Sequence, residues 1–199
     1  MRIHKKGEQG FSYIDVMVAI VILMVGILAM LSALTANLIR SFNSEKRVVA
    51  KQLALSSIES IISAKEMDRG DVLKGFDSLR NVNAPAIKDS QGNDVFGIFL
   101  TGYNPIREED GWDGVAGTID DGCPGTGPCV VPGRTTNDSA VKTGYDRQII
   151  ITDIDDPERP FPTYPIARRR LEVHIRYFAN QIAMEEVAST ILTNYGTSK

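Results

Sequence analysis

The feature that most constrains this chain is an apolar run near its N-terminus. From Val16 to Leu34 the sequence has no charged residue. About 19 residues at 1.5 Å each reach about 29 Å, which is enough to cross the hydrocarbon core of a bilayer. The preceding stretch, MRIHKKGEQG, is basic, which predicts that it stays in the cytoplasm and that the residues after about 39 lie beyond the membrane.

One acidic residue precedes the run. A charge such as that of Asp15 costs roughly 2.5–3.5 kcal/mol in hydrocarbon on insertion scales, so it requires a partner or a position near the headgroups. Two other interpretations of the run stay open: a cleaved secretory signal peptide and an ordinary anchor without processing. The run is longer than a signal-peptide core, and its end, LSALTANL, lacks a clean small-x-small site. The sequence therefore favours a retained span.

Helical character continues past the span. Residues 44–67 contain neither Gly nor Pro. Val48, Leu55, Ile58 and Ile62 recur at spacings of seven, three and four, which predicts an apolar stripe facing a globular core. We expect one helix from about residue 12 to 65.

The remainder reads as strands and turns. Residues 168–178 alternate apolar and polar, with Leu171, Val173, Ile175 and Tyr177 on one face. Short links predict an antiparallel meander, with the second half of the helix covering its apolar face. The expected fold class is α+β. The expected strands are 95–101, 145–152, 168–178 and 186–194, and residues 179–181 should form a turn.

The junction between the leader and the span resembles a processing site. The residues GFSYIDV, with Gly10 last in a basic leader and Phe11 next, are similar to the cleavage and methylation site of type IV prepilins and pseudopilins. The family pattern is Gly, Phe, Thr or Ser, a hydrophobe, Ile or Leu, and Glu, followed by an apolar helix. The resemblance covers residues 1 to about 65.

The resemblance implies a processing chemistry. A membrane-embedded prepilin peptidase would cut after Gly10 and N-methylate Phe11. Asp15 stands where the family has Glu, and in the family that carboxylate pairs with the N-terminal amine of a neighbouring subunit. Aspartate is one methylene shorter than glutamate, which favours a minor subunit over a shaft subunit.

The resemblance and the residue patterns together divide the chain. The resemblance implies a leader (1–10) and a transmembrane and assembly helix (11–39). The residue patterns predict an amphipathic continuation (40–69) and a periplasmic antiparallel sheet domain (70–199), in which the stretch 102–144, dense in Gly, Pro, Asp and Asn, is expected to be a long loop. The helix is most like that of V-type minor pilins, or type IV pilus modification proteins. The implied function is a minor subunit in pilus initiation or assembly. A minor pseudopilin of type II secretion and a non-assembling membrane-anchored binding domain are the alternatives.

This assignment implies a location and partners. We expect a single-pass inner-membrane protein that enters a surface filament after assembly. Its partners would be the prepilin peptidase, other pilin or pseudopilin subunits and the inner membrane. No nucleic acid is expected, because the body of the chain is acidic.

Two cysteines bracket a Gly- and Pro-rich turn in the long loop. Cys123 and Cys129 are expected to form a disulfide in an oxidising compartment. Free thiols and, less favoured, a metal site stay open.

Other chemistry is sparse. The acidic stretch 108–122 could offer oxygen ligands to calcium, but it lacks the EF-hand spacing, so a solvated acidic loop is expected. Trp112 is expected to anchor this loop on the core, with contact to a partner as the alternative.

His174 is expected to face solvent. Residues 168–170, three arginines, are expected to be an edge charge that deters aggregation, with a DNA- or lipid-binding patch as the alternative. No catalytic set, cofactor motif or metal motif is found, so no enzymatic activity, cofactor or metal is expected.

Overall fold

A computed structural model describes residues 12–69, 73–89, 91–111, 113–122, 140–161 and 164–194. Within these ranges one long helix, α1 (Tyr13–Lys65), precedes eight strands and a single 3-10 turn at Gly75–Ser78. The strands are β1 (Asp68–Arg69), β2 (Leu73–Lys74), β3 (Ile87–Lys88), β4 (Asp94–Val95), β5 (Asn104–Arg107), β6 (Val141–Ile154), β7 (Arg168–Ala179) and β8 (Ile182–Thr193). The predicted α+β class and the extent of the helix are confirmed.

The chain divides into two compact units, residues 1–45 and 46–199. In the first unit, the described residues from Ser12 to Phe42 are all exposed. Among the residues that the structure describes, α1 is the one helix long and apolar enough to cross a membrane. Its length and composition are consistent with single-pass anchoring.

The second unit is built on a four-stranded sheet. Its strand order is β5-β6-β7-β8, and each neighbouring pair is antiparallel. The turn between β7 and β8 consists of Asn180 and Gln181, whose φ angles are 49° and 66°. Positive φ at both central residues matches the right-handed twist of the flanking strands. The predicted meander and turn are confirmed.

The part of α1 in the second unit covers one face of this sheet. The buried residues of the helix are Ala50, Ala54, Ser57, Ile58, Ile61 and Ala64. They belong to one core with the inner-face residues Ile149, Leu171, Val173, Ile175 and Tyr177. The alternation read from the sequence of β7 is therefore confirmed.

The apolar stripe predicted for the helix is wrong in most of its members. Ile58 is buried, but Val48, Leu55 and Ile62 are 54%, 56% and 44% exposed. These three lie roughly 130° around the helix from the centre of the buried face, at 100° per residue. The face that packs is rich in alanine, a residue that contributes little to an apolar stripe read from the sequence.

The first predicted strand is also largely wrong. Of residues 95–101 only Val95 lies in a strand, and Phe99 makes an isolated bridge to Asn81. At Gly97 a side chain would collide with the backbone carbonyls of Arg80 and Asn81, so the segment packs closely against this backbone. Conversely, β5 and the first residues of β6 lie inside the stretch 102–144 that was expected to be a loop.

Candidate functional site

The start of α1 carries the residues of the predicted processing and assembly site. Gly10 and Phe11 lie outside the described residues. Ser12 directly precedes the helix, and its backbone N–H donates to Asp15 Oδ2 at 3.3 Å. A carboxylate that reaches back to the residue before the first turn forms one half of a capping box, and acids are favoured at a helix N-terminus. Asp15 therefore has a local role in starting the helix.

The surface that follows Asp15 is apolar on every side. Between Ser12 and Ile39 the sequence holds no other charged residue. Large side chains along this segment are well exposed, including Leu28 at 65% and Met30 at 76%. An apolar surface of this extent is typical of a segment that contacts lipid or other apolar helices.

The acidic loop at 108–122 is solvated only in part: Glu108 and Glu109 are exposed, as the sequence predicts, but three of its six acids are buried. Asp113, Asp120 and Asp121 are only 3%, 3% and 5% exposed. Asp113 Oδ1 accepts the Val115 N–H at 2.7 Å, and Asp120 Oδ1 accepts the Thr118 hydroxyl at 2.6 Å. Burial is possible because internal donors replace water at these carboxylates. Among the described residues, no three His, Cys, Asp or Glu side chains are grouped to hold a metal ion.

An inward-facing arginine ties this loop to the helix. Arg147 lies on the inner face of β6 and is 6% exposed. Its Nη2 is 2.5 Å from Asp121 Oδ2, and its Nη1 donates to Ser57 Oγ on α1 at 3.1 Å. Burial raises the pKa of Asp121, and the Arg147 guanidinium opposes that rise. Burial, reinforced by nearby Asp120, raises the pKa of Asp113 to about 7.

The arginine run at the start of β7 is not simply an edge charge. Arg169 is 2% exposed, and its Nε donates to Asp153 Oδ1 at 2.8 Å. Its Nη1 donates to the Phe76 carbonyl and lies 3.4 Å from the Leu79 carbonyl. The guanidinium also stacks over the Phe76 ring, 4.3 Å from its centre. Because of this burial the expected outward charge is wrong for Arg169, and burial lowers its pKa.

A polar network crosses the outer face of the sheet. The Tyr103 hydroxyl, just before β5, donates to Glu185 on β8, and Nδ1 of His174 on β7 is 2.7 Å from the same carboxylate oxygen. Arg176 stacks over the Tyr103 ring at 4.2 Å and donates to Asp146 at 2.8 Å. His174, expected to face solvent, therefore has defined partners and a side chain only 19% exposed.

Hydrogen bonding sets the protonation of this network. Burial raises the pKa of Tyr103 to about 12, and its hydrogen bond to Glu185 adds to the rise. The same hydrogen bond, with that from His174, lowers the pKa of Glu185. Glu185 is thus held as a carboxylate that accepts two hydrogen bonds.

Arg147 and Arg169 face inward, which was not predicted from the sequence. The signal was available in the alternation of the strands, since Arg169 is two residues before Leu171, and Arg147 two before Ile149. Cys123, Cys129 and Trp112 lie outside the described residues, so the predicted disulfide and the predicted anchor of the loop stay predictions.

Comparison with known proteins gives no match: no family model, curated protein or solved structure is significantly similar to this chain.

Proposed function

We propose that this chain is a minor subunit of a type IV pilus-like filament, cleaved after Gly10 and N-methylated on Phe11, which takes part in the initiation or assembly of the pilus. The observation that carries the proposal is the continuity of α1. One helix has an exposed, apolar surface on every side from Val16 to Ile39 and a face buried against a sheet from Ala50 onward. Such a helix suits a subunit that first resides in lipid and then packs against other apolar helices.

Asp15 supports the assembly role. Its carboxylate has a 3.3 Å hydrogen bond from the Ser12 N–H, which compensates little of the cost of a charge among apolar helices. Cleavage after Gly10 would create a new amine at Phe11. The amine of a neighbouring subunit would supply the opposite charge, so a filament would pair two groups that are each costly alone.

The shorter side chain of Asp15 supports a minor position. The family carboxylate is a glutamate, and Asp places its charge one methylene closer to the backbone. A subunit whose carboxylate extends less far from the backbone suits a filament end. There the contact between carboxylate and amine is made once and is not repeated along the filament.

Filament fractionation tests this proposal. The full chain, carrying an epitope tag at its C-terminus, is produced in a piliated cell, and the sheared filament fraction is separated from the membranes. We expect a small amount of wild-type chain in the filaments, much less Asp15→Asn, and near wild-type amounts of Asp15→Glu as the matched control. Wild-type chain found only in membranes would contradict assembly. In a deletion strain, lost protein export with normal piliation would contradict the pilus role.

A further inference from the structure

His174 lies between two carboxylates on the outer face of the sheet. Its Nδ1 is 2.7 Å from Glu185 Oε1 on the neighbouring strand β8, and its Nε2 is 3.8 Å from Glu172 Oε2 on its own strand. Nε2 is buried from solvent and has no hydrogen-bond partner within the described ranges. Both ring nitrogens thus face a negatively charged oxygen.

The forms of the ring meet these two carboxylates differently. A neutral imidazole has one N–H and one lone pair. With the proton on Nδ1, the Nε2 lone pair faces Glu172; with the proton on Nε2, the Nδ1 lone pair meets Glu185 at hydrogen-bond distance. The imidazolium presents an N–H to each carboxylate, so it is the one form without an opposed lone pair.

Among the charged groups described on this face, Glu172 and Glu185 are the ones that contact the His174 ring. On β7 the same face carries Arg170 and Arg176, and Arg176 is paired with Asp146 on β6. The residue opposite His174 on β6 is the uncharged Gln148, and on β8 it is Val187. Tyr103 donates to Glu185 and thereby holds that carboxylate in place. The titratable or charged groups on this face near His174 are therefore Tyr103, Asp146, Arg170, Glu172, Arg176 and Glu185.

We propose that His174 is a proton-dependent clamp that fastens the edge strand β8 to β7 through Glu185, with Glu172 favouring the charged ring. β8 is the last strand in the sheet order, so among the described strands only β7 is hydrogen-bonded to it. Uptake of the proton tightens the clamp, and its loss as pH rises loosens β8. An imidazole changes charge between about pH 5 and 8.

A second contact holds β8 on the inner face of the sheet. Arg47 Nε on α1 pairs with Glu186 Oε1 at 2.5 Å, and this contact does not involve His174. We therefore expect β8 to remain in the sheet while the exchange protection of residues 184–187 follows the charge of His174.

Hydrogen exchange of the full chain in detergent micelles tests the clamp. Backbone amide protection of residues 184–187, corrected for intrinsic rates, is compared at pH 5 and pH 8. Amides of β6 in the same molecule are the internal reference, which removes any change in global stability. We expect protection of these β8 amides to fall about threefold to fivefold relative to the reference as pH rises, as for a partly exposed ion pair.

Two variants and one control complete the test. His174→Gln keeps a hydrogen-bond donor but cannot take up a proton, so its β8 protection is expected to be independent of pH. Glu172→Gln is expected to reduce the pH dependence, and Glu59→Gln, on the exposed face of α1, to leave it unchanged. Equal pH dependence in wild type and His174→Gln, or none in wild type, would overturn the clamp. If His174→Gln does not fold, the wild-type and Glu172→Gln data decide the matter alone.

Discussion

At the scale of single residues, the charges of this chain that matter most for folding are the buried ones. Arg147 and Arg169 occupy inner-face positions of the sheet where the sequence pattern otherwise places Ile, Leu and Val. Each guanidinium binds a carboxylate and further polar atoms on other elements. These contacts join the acidic loop and the segment around Phe76 to the strands, so their loss is expected to be felt well beyond one side chain.

Asp113 gives the chain a distinctive dependence on pH. Burial raises its pKa from 3.8 to about 7, so its contribution to stability is present below about pH 4 and is lost as pH rises to about 7. Asp113→Asn keeps an acceptor for the Val115 N–H but cannot ionise. We expect urea unfolding to show equal stability near pH 4 and a growing advantage of the variant up to pH 8, by at most about 4 kcal/mol. Parallel stability curves would show that Asp113 does not titrate in this range.

Arg169 tests whether the buried guanidinium stabilises the fold. Arg169→Met retains most of the volume but leaves the Asp153 carboxylate and the Phe76 and Leu79 carbonyls without this donor. We expect a loss of about 2–4 kcal/mol in the free energy of unfolding, less than for a fully buried pair because Asp153 is partly exposed. Urea unfolding monitored by circular dichroism measures it. Arg170→Met, one residue along on the exposed face, is the control and is expected to change stability by less than about 0.5 kcal/mol. Similar losses in both variants would contradict a special role for Arg169.

At the scale of elements, the contact between α1 and the sheet depends on small side chains. Ala50, Ala54 and Ala64 are almost fully buried, whereas the larger Val48, Leu55 and Ile62 point elsewhere. The helix therefore approaches the sheet by its alanine face and leaves an apolar stripe exposed in the second unit.

Ala50 and Leu55 separate these two faces experimentally. Ala50→Leu inserts three carbon atoms at a position that is 0% exposed, and we expect about 1–3 kcal/mol of destabilisation. Leu55→Ala removes the same atoms from a position that is 56% exposed, with an expected change within about 0.5 kcal/mol. Urea unfolding of the two variants compares them directly. The reverse order of effects would mean that the helix packs by the stripe originally expected from the sequence.

The sequence predicts the elements better than their faces. The helix follows from its apolar run and from the absence of Gly and Pro after it, and β7 and its inner face follow from alternation. The sequence predicts β6 and β8 only in part, as 145–152 and 186–194, whereas the structure has Val141–Ile154 and Ile182–Thr193. The packing face of α1 does not, because alanine carries a weak hydrophobic signal. The buried acids were missed for a related reason: Asp113 and Asp121 depend on donors from Val115 and Arg147, and only the folded chain brings Arg147 to the loop.

At the scale of the whole molecule, the two parts of one helix differ in their surroundings. Its first part presents apolar side chains in every direction after a single acid, and its last part is a packed component of a sheet domain. We infer that the first part serves membrane residence and then filament packing, while the second carries the sheet domain. The motif that would connect these states is the junction at Gly10 and Phe11.

The most direct test of this account is the intact mass of the chain recovered from cells that contain a prepilin peptidase. We expect the mature protein to begin at Phe11 and to carry one added methyl group on its N-terminal nitrogen. Gly10→Val places a side chain where the peptidase would need close approach to the backbone. We expect this variant to keep its leader, so that the recovered chain begins at Met1 or, after removal of the initiator methionine, at Arg2. A wild-type chain that keeps its first ten residues would contradict the account.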